Sequence, residues 1–525
     1  MKINNKNYLK FVFSFLFFLF SLYCLLALGL SYDQVFHIEN GERRLKYLFS
    51  LGLTEYYDIL HLRYYPGLYD TISSLLSSAF PKNFYFEGYS LINFIFGIAG
   101  LIGLKKVIKF FFGFKVSIYF FLITLFSPIF FGHLFINPKD TIIATSNFWI
   151  IYYLIRYLNT DRDQIRKNIA IKIGFFLGLG IGVRVLFLGT LIPIFCFFLY
   201  ESFFYKKITK KIDIIKFTKH FLITLLIAYI LLIFCWPNTH SSIFLDPFNL
   251  FYESLLDKTQ GVQVSYFFGN IYDTQNTPWH YLITNFLFKI PTYLLISFFL
   301  YFIYIKKIKH HFKLNNNFVY YSNICISFLI MPIIISIILK LKIHDGVRYF
   351  FYLIPLVNIF PAIFFVFLFS NIKFFYSKLL TIFIAPFFLI FVYKFLIISP
   401  FHYSYLNFFN DLAFSKNLFE NDYWGVSLKS LIKKFSHKIN KQQFIRIASC
   451  GVNPINIKIY LKKYGIKNYN LVSLNENFDY AIMINRAILE PFNNEKFNCF
   501  VKFQDKKTFV SVKKGSIELS KIIVN

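Results

Sequence analysis

The stretch YLKFVFSFLFFLFSLYCLLALGL, Tyr8–Leu30, decides the fold, and it contains a single charge, Lys10. An apolar run of about 20 residues spans the hydrocarbon core of a bilayer. The basic MKINNKNYLK ahead of it would suit a signal peptide, but the run is long and lacks a small-residue cleavage pattern. It reads as an uncleaved first membrane helix. SYDQVFHIEN, Ser31–Asn40, follows at once, so Asp33, His37 and Glu39 sit where that helix emerges.

The rest of the composition agrees. Of 525 residues, 57% are hydrophobic and 16% charged, with 75 Phe. A soluble domain carries about 25% charged residues, so the expectation is a polytopic α-helical membrane protein. Lys and Arg outnumber Asp and Glu by 56 to 26. In a soluble chain that excess would suggest nucleic acid; here Lys and Arg collect in short cytoplasmic loops. The six Cys show no CxxC or Cys/His spacing, which argues against structural zinc. Cys450 and Cys499 could pair in an oxidising compartment.

Apolar runs recur at 8–30, 88–104, 114–132, 141–157, 169–185, 187–204, 218–235, 281–305, 318–340, 349–370 and 376–398, predicting about eleven membrane helices. The pair around Gly178–Gly189 could be broken or re-entrant. One set of connections is basic: Lys105, Lys106, Lys109 and Lys115; Arg156, Arg162, Arg166 and Lys167; Lys206, Lys207, Lys210 and Lys211; Lys306, Lys307 and Lys309; Lys373 and Lys378. The positive-inside rule places these and the N-terminus in the cytoplasm. The opposite face receives 31–87, 132–140, the turn near Arg184, 236–280, 339–348 and everything after Ser399. Residues 1–400 thus read as the membrane domain and 401–525 as an extracytoplasmic region. Within that region, strand-like Gln443–Ser449, Tyr469–Ser473, Tyr480–Ile484 and Thr508–Val512, with helical Ser427–Lys434 and Asn456–Tyr464, predict a small α/β domain from about 425.

The external face gathers the ionisable residues. Asp33–Glu39 is followed by Glu55, Asp58, His61 and Arg63 ahead of Tyr64-Tyr65-Pro66-Gly67. FGHLFINPKD, Phe131–Asp140, contributes His133, Asn137, Lys139 and Asp140; Trp236 to His240 and Thr277-Pro278-Trp279-His280 flank one loop; HDGVR gives His344, Asp345 and Arg348; Asn421 to Gly425 reads NDYWG. Each has a plain structural explanation. Trp and Tyr anchor interfaces, Lys139 and Arg348 can snorkel from helix ends, and Asp345 with Arg348 can form a surface pair. Collected on one face, they have a chemical logic. A carboxylate can act as general base or bind a divalent cation through oxygen. Lys and Arg can hold a phosphate, Arg bidentately. Such a site suits a lipid-phosphate substrate from which a group moves to an acceptor hydroxyl.

The order of motifs then resembles the GT-C membrane glycosyltransferases. Asp33 in the first external loop, FINPKD, PWHY at Pro278–Tyr281, DGVR at Asp345–Arg348 and DYWG at Asp422–Gly425 carry the resemblance, over residues 1–425. The bacterial dolichyl-phosphate-mannose protein mannosyltransferase-like group, related to the lipid A aminoarabinose transferases, is the most similar. The resemblance implies a polyprenyl-phosphate sugar donor, inversion at the anomeric carbon, and an envelope glycolipid, polysaccharide or protein as acceptor on the periplasmic face of the inner membrane. It implies Asp33 as general base, although many relatives have Asp-Glu where this chain has Asp33-Gln34, and Asp140 as a second catalytic acid. Those two would hold a divalent cation if the reaction used one; some relatives use none. Lys139, Arg63, Arg184 and Arg348 would face the donor phosphate, with His37, Tyr65, His133, Trp279, His280 and Asp345 completing the substrate site. Two other classes compete. A transporter or flippase of lipid-linked sugars would carry polar residues deep in its helices and an inverted repeat. A scaffold would leave the one-sided cluster unexplained.

Overall fold

The computed structural model describes residues 5–210, 212–256, 263–412, 418–490 and 494–525, the side chains of 5–7, 9, 10, 60 and 61 excepted. Lys211, the side chain of His61 and the middle of the 236–280 loop lie outside the described residues.

Each apolar run lies on helix. The chain opens with α1 (Asn5–Ala27), then α2 (Gln34–Phe49) and α3 (Leu68–Ser77) in the 31–87 connection. Helix α4 (Tyr85–Leu125) breaks at Gly113, whose φ of 89° is left-handed. The break folds the chain back: Lys105 Nζ lies 4.8 Å from the ring of Phe121. Over 16 residues a straight helix would hold them about 24 Å apart. Next come α5 (Pro128–Ile136), α6 (Asp140–Leu158) and α7 (Asp163–Val183). Glycines let α7 meet its neighbour closely; a Cβ on Gly178 would stand 2.8 Å from Leu231 Cβ. Beyond the short α8 (Phe187–Thr190) and α9 (Ile192–Leu199) lie α10 (Ile214–Phe234) and the surface helix α11 (Asp246–Leu256). The 236–280 loop adds an unforeseen hairpin, β1 (Val264–Phe267) and β2 (Asn270–Asp273).

Helices α12 (Tyr281–Lys289) and α13 (Thr292–Ile303) replace the expected single helix and bend by 112° where Pro291 interrupts the ladder. Then follow α14 (Ile305–His311), α15 (Phe318–Ile338), α16 (Leu353–Ser370) and α17 (Phe375–Ile398). Among the described residues, five helices are long and apolar enough to cross a membrane, six if the bent pair is one span. Helix α16 is 89% buried and forms the centre, whereas α10 and α17 are 22% buried and present their apolar residues outward to lipid. The chain is a multi-pass helical membrane protein.

The basic turns stay together at one end; Asn315 Nδ2, between α14 and α15, donates to the carbonyl of Phe111 beside Gly113. At the other end, past the short α18 (Phe408–Leu412), a sheet unit caps the bundle. Helix α19 (Leu428–Ser436) and α20 (Pro454–Lys463) lie where helices were expected. Strands β3 (Ile445–Cys450), β4 (Tyr469–Val472) and β5 (Tyr480–Ile484) match the strand-like stretches. The short pair β6 (Ala487–Leu489) and β7 (Lys496–Asn498) and the small α21 (Cys499–Lys502) follow, then β8 (Thr508–Lys514) and β9 (Ile517–Val524). The sheet order is β4-β3-β5-β9-β8. β4 and β5 run parallel to β3, and β9 runs antiparallel to both β5 and β8. Alternation splits its faces: Ile482 and Ile484 join the main core, while Ala481 and Met483 join a small cluster with Phe478, Phe497 and Phe500. Cys450 and Cys499 form a disulfide at its edge.

The unit is tied to the exit of α1. Gly29 N–H donates to Val426 O, Leu30 N–H to Tyr460 Oη, and Asn456 and Asn453 donate to the carbonyls of Ser31 and Tyr32. Lys429 pairs with Glu87 at 3.1 Å.

Candidate functional site

The ends of several helices converge on one small recess. Ser31 and Asp33 come from the exit of α1, Tyr65 from the loop before α3, and Asn137 to Asp140 from the α5–α6 turn. Arg184 stands at the end of α7, Arg348 and Tyr349 just before α16, and Trp424 comes from the DYWG segment.

Asp33 Oδ2 lies 3.4 Å from Lys139 Nζ and 3.6 Å from Arg348 Nη1. Burial pushes its carboxyl pKa up, but Lys139 and Arg348, helped by His37 and Arg486, outweigh this and hold it below the ordinary carboxylate range. Its side chain keeps 28% exposure, which makes it the reachable carboxylate; Asp345 keeps 2%. Asp140 opens α6, accepts from Asn137 Nδ2 at 3.0 Å, and receives an N-terminal cap from Asn137 Oδ1. The same amide nitrogen meets His133 Nδ1 at 3.2 Å. With Nδ1 accepting, Nε2 carries the proton and donates to Tyr423 Oη at 3.1 Å.

The two arginines differ. Arg348 Nη1 meets Asp345 Oδ2 at 2.9 Å, and Nη2 donates to Tyr349 Oη and to His344 Nε2. Burial pushes His344 down to about 3, so it is neutral and can accept. Arg348 also lies over Trp424, and its buried Nε finds no partner among the described residues. The Arg184 side chain makes no ion pair and no hydrogen bond among the described residues; its guanidinium lies 5.9 Å from the ring of Tyr65 and 5.5 Å from that of Tyr349. Its charge is unspent. Lys139 too faces Tyr65, at 5.1 Å. Three cations and two carboxylates line the recess, so its balance favours an anion.

That donor set does not fit a resident divalent cation. Asp33's oxygen is already shared by two cations, and among the described residues no three His, Cys, Asp or Glu side chains stand together as a metal site.

Of the residues expected from the sequence, Asp33, Asp140, Tyr65, Lys139, Arg184 and Arg348 meet at the recess. Asp345 and His133 lie directly behind it. His37 does not line it: its Nδ1 is 2.8 Å from Asp70, buried between α2 and α3. Arg63 points outward to Glu253 at 3.2 Å. Trp279 is 68% exposed, and His280 bonds Thr284 within its own helix. These four correct the expected cluster: His37 and Arg63 are taken by Asp70 and Glu253, His280 turns to Thr284 in the next helical turn, and Trp279 faces outward. DYWG divides its labour: buried Asp422 accepts from the N–H groups of Val426 and Ser427, Tyr423 holds His133, and Trp424 walls the recess. The sequence reading missed Tyr349 as a wall, although it adjoins Arg348, and missed Arg486, which no motif marked.

No family model matches the chain, and no curated protein matches it. Solved structures do. The fold matches that of ArnT from Cupriavidus metallidurans in the apo state, with a TM-score of 0.52 and 9% identity over 99% of this chain and 98% of that one. It also matches that protein bound to undecaprenyl phosphate, with a TM-score of 0.50 and 10% identity over 98% and 97%. The chain therefore shares the fold of those structures along nearly its whole length.

Proposed function

We propose that the recess is the reaction centre of an inverting glycosyltransferase that moves a sugar from a polyprenyl-phosphate donor to an envelope acceptor. The observation that carries this is Arg184, a guanidinium in the recess with neither ion pair nor hydrogen bond among the described residues, beside Lys139 and Arg348. Near 4 Å, each unit charge of a phosphate would attract each cation by about 4 kcal/mol at an effective dielectric of about 20. A ligand carrying phosphate meets all three at once. The undecaprenyl phosphate bound by a chain of the same fold supports that ligand class.

The chemistry follows from the residues. Asp33, ionised and reachable, takes the proton of the acceptor hydroxyl. The oxygen attacks the anomeric carbon from the face opposite the phosphate, a new C–O bond forms, and the sugar–phosphate C–O bond breaks. Lys139, Arg184 and Arg348 hold the departing phosphate. Before the donor arrives, Asp33 is compensated by Lys139 and Arg348. A phosphate drawing those two cations leaves Asp33 more basic, so the base is released when there is something to transfer. Asp140 would position the acceptor from the α6 terminus. The recess lies at the end of the bundle away from the basic turns, and a disulfide suits an oxidising compartment, so the reaction is assigned to the periplasmic face of the inner membrane.

The test is the pool of polyprenyl-phosphate sugars, read by mass spectrometry in cells with the intact gene or Asp33→Asn. Accumulation of one lipid-linked sugar in the variant supports transfer. Equal pools, with both proteins present in the membrane, would overturn the base assignment and favour movement of lipid-linked sugars across the membrane.

A further inference from the structure

Arg486 sits on the turn between β5 and β6, far along the chain from every motif of the recess. Its Nη1 donates to the carbonyl of Tyr423 at 2.8 Å, its Nη2 lies 3.6 Å from Asp345 Oδ1, and its guanidinium lies 5.1 Å from the ring of Tyr32, next to Asp33. The turn is held hard. Cys499 N–H donates to Arg486 O at 3.0 Å, Cys499 is disulfide-bonded to Cys450, and Ala487 N–H donates to buried Glu420.

The contacts line up charges of alternating sign. Arg486 meets Asp345 at 3.6 Å, Asp345 meets Arg348 at 2.9 Å, Arg348 meets Asp33 at 3.6 Å, and Asp33 meets Lys139 at 3.4 Å. Each acid in the series is shared by two cations. Asp345 keeps 2% exposure, so bulk solvent screens little of its charge. Its two oxygens are divided: Oδ1 toward Arg486, Oδ2 toward Arg348. Without Arg486, the full charge of Asp345 would fall on Arg348, whose planar fork can take both oxygens of one carboxylate. Arg348 would then turn from the recess.

We infer that Arg486 is a positioning residue: the sheet unit uses it to occupy one side of Asp345, so that Arg348 stays bridged to Asp33 and presented to the anion in the recess. The inference rests on the proposed phosphate donor, and it gives the sheet unit a part in donor binding. Arg486 does not itself line the recess.

The test uses the full chain, purified in nanodiscs, with polyprenyl phosphate as the probe. Arg486→Ala should weaken binding about tenfold. Arg486→Lys, which keeps the charge beside Asp345, should recover most of it. Adding Asp345→Asn to Arg486→Ala should also recover it, because the neutral amide no longer draws Arg348 away; a merely structural loss would not be repaired by a second change. A cryo-EM structure of Arg486→Ala should show Arg348 astride both Asp345 oxygens and parted from Asp33. Unchanged binding in Arg486→Ala, a defect that Asp345→Asn leaves in place, or an Arg348 still bridging to Asp33 would overturn the inference. Should Arg486→Ala fail to fold, Arg486→Gln, which keeps the bond to Tyr423 and drops the charge, takes its place with the same outcomes. If the intact chain binds no polyprenyl phosphate, the proposed donor falls, while the position of Arg348 still decides the role of Arg486.

Discussion

Arg44 and Arg184 are the same side chain put to opposite uses. Arg44, fully buried in α2, spends its terminal nitrogens on the carbonyls of Pro66, Cys235, Leu62 and Tyr65. It fastens the loop ahead of α3 to the end of α10. Arg184 stands between two tyrosine rings with every hydrogen bond still to make. Two carboxylates repeat the contrast. Asp422 is buried and satisfied by backbone N–H groups and the hydroxyls of Ser427 and Tyr403, whereas Asp33 stays open to the recess. A charge whose partners are built into the fold is architecture; one left open to the recess marks where a ligand goes.

The contrast breaks first at Asp33. Asp33→Asn should slow transfer by about 10²- to 10⁴-fold, as expected for a lost general base, with only a small drop in unfolding temperature from its partly exposed ion pairs with Lys139 and Arg348. A variant that transfers normally would reduce Asp33 to an ion-pair partner. Arg44→Met should do the reverse, costing about 3 kcal/mol of stability because several buried carbonyls lose their donor. Scanning fluorimetry in detergent reads it as a clear drop in unfolding temperature; an unshifted transition would show that water replaces the guanidinium.

Arg184→Ala sharpens the comparison. It should weaken polyprenyl-phosphate binding by about 10- to 100-fold, equivalent to about 1.5–3 kcal/mol for lost charged hydrogen bonds. Unfolding of the free protein should not move, since no hydrogen bond or ion pair among the described residues is lost. If stability falls as well, Arg184 belongs with Arg44.

The smallest effect is in pH. Lys139 and Arg348 hold Asp33 below the ordinary carboxylate range despite burial, so its base form is present at and above that range and is lost only as pH falls below it. In kcat/KM for the donor, which reports the free protein, no acid limb from Asp33 should appear between about pH 5 and 8. In kcat, with the phosphate sharing those cations, the limb should sit at higher pH. Coincident limbs would mean that the donor leaves Lys139 and Arg348 on Asp33.

Much of this was legible beforehand. The helices were, because a bilayer imposes a length and an apolarity that a run such as 376–398 states outright, and α17 is one of the helices that meet both. The strands at Tyr480–Ile484 and Thr508–Val512 were: the second alternates buried Val510 and Val512 with more open neighbours, and the first is a short apolar run buried on both faces. Central β9 was not: IELSKIIV mixes buried Ser520 and Lys521 with its isoleucines, and only pairing on both sides makes it a strand. At the recess, Asp33, Lys139 and Arg348 could be named because each sits at the external end of an apolar run.

From the sequence alone came a polytopic helical protein with its ionisable residues on one face and a small α/β unit at the end. What it could not contain is partnership. His37 and Asp33 are four residues apart, yet one turns inward to Asp70 and the other meets Arg348, more than 300 residues away. Arg486 carries no motif and still reaches Asp345. Hydropathy and period are local sums that a short window can read, whereas whether a charge is spent or left open depends on which distant groups packing brings within a few ångströms. Only the tertiary structure decides that.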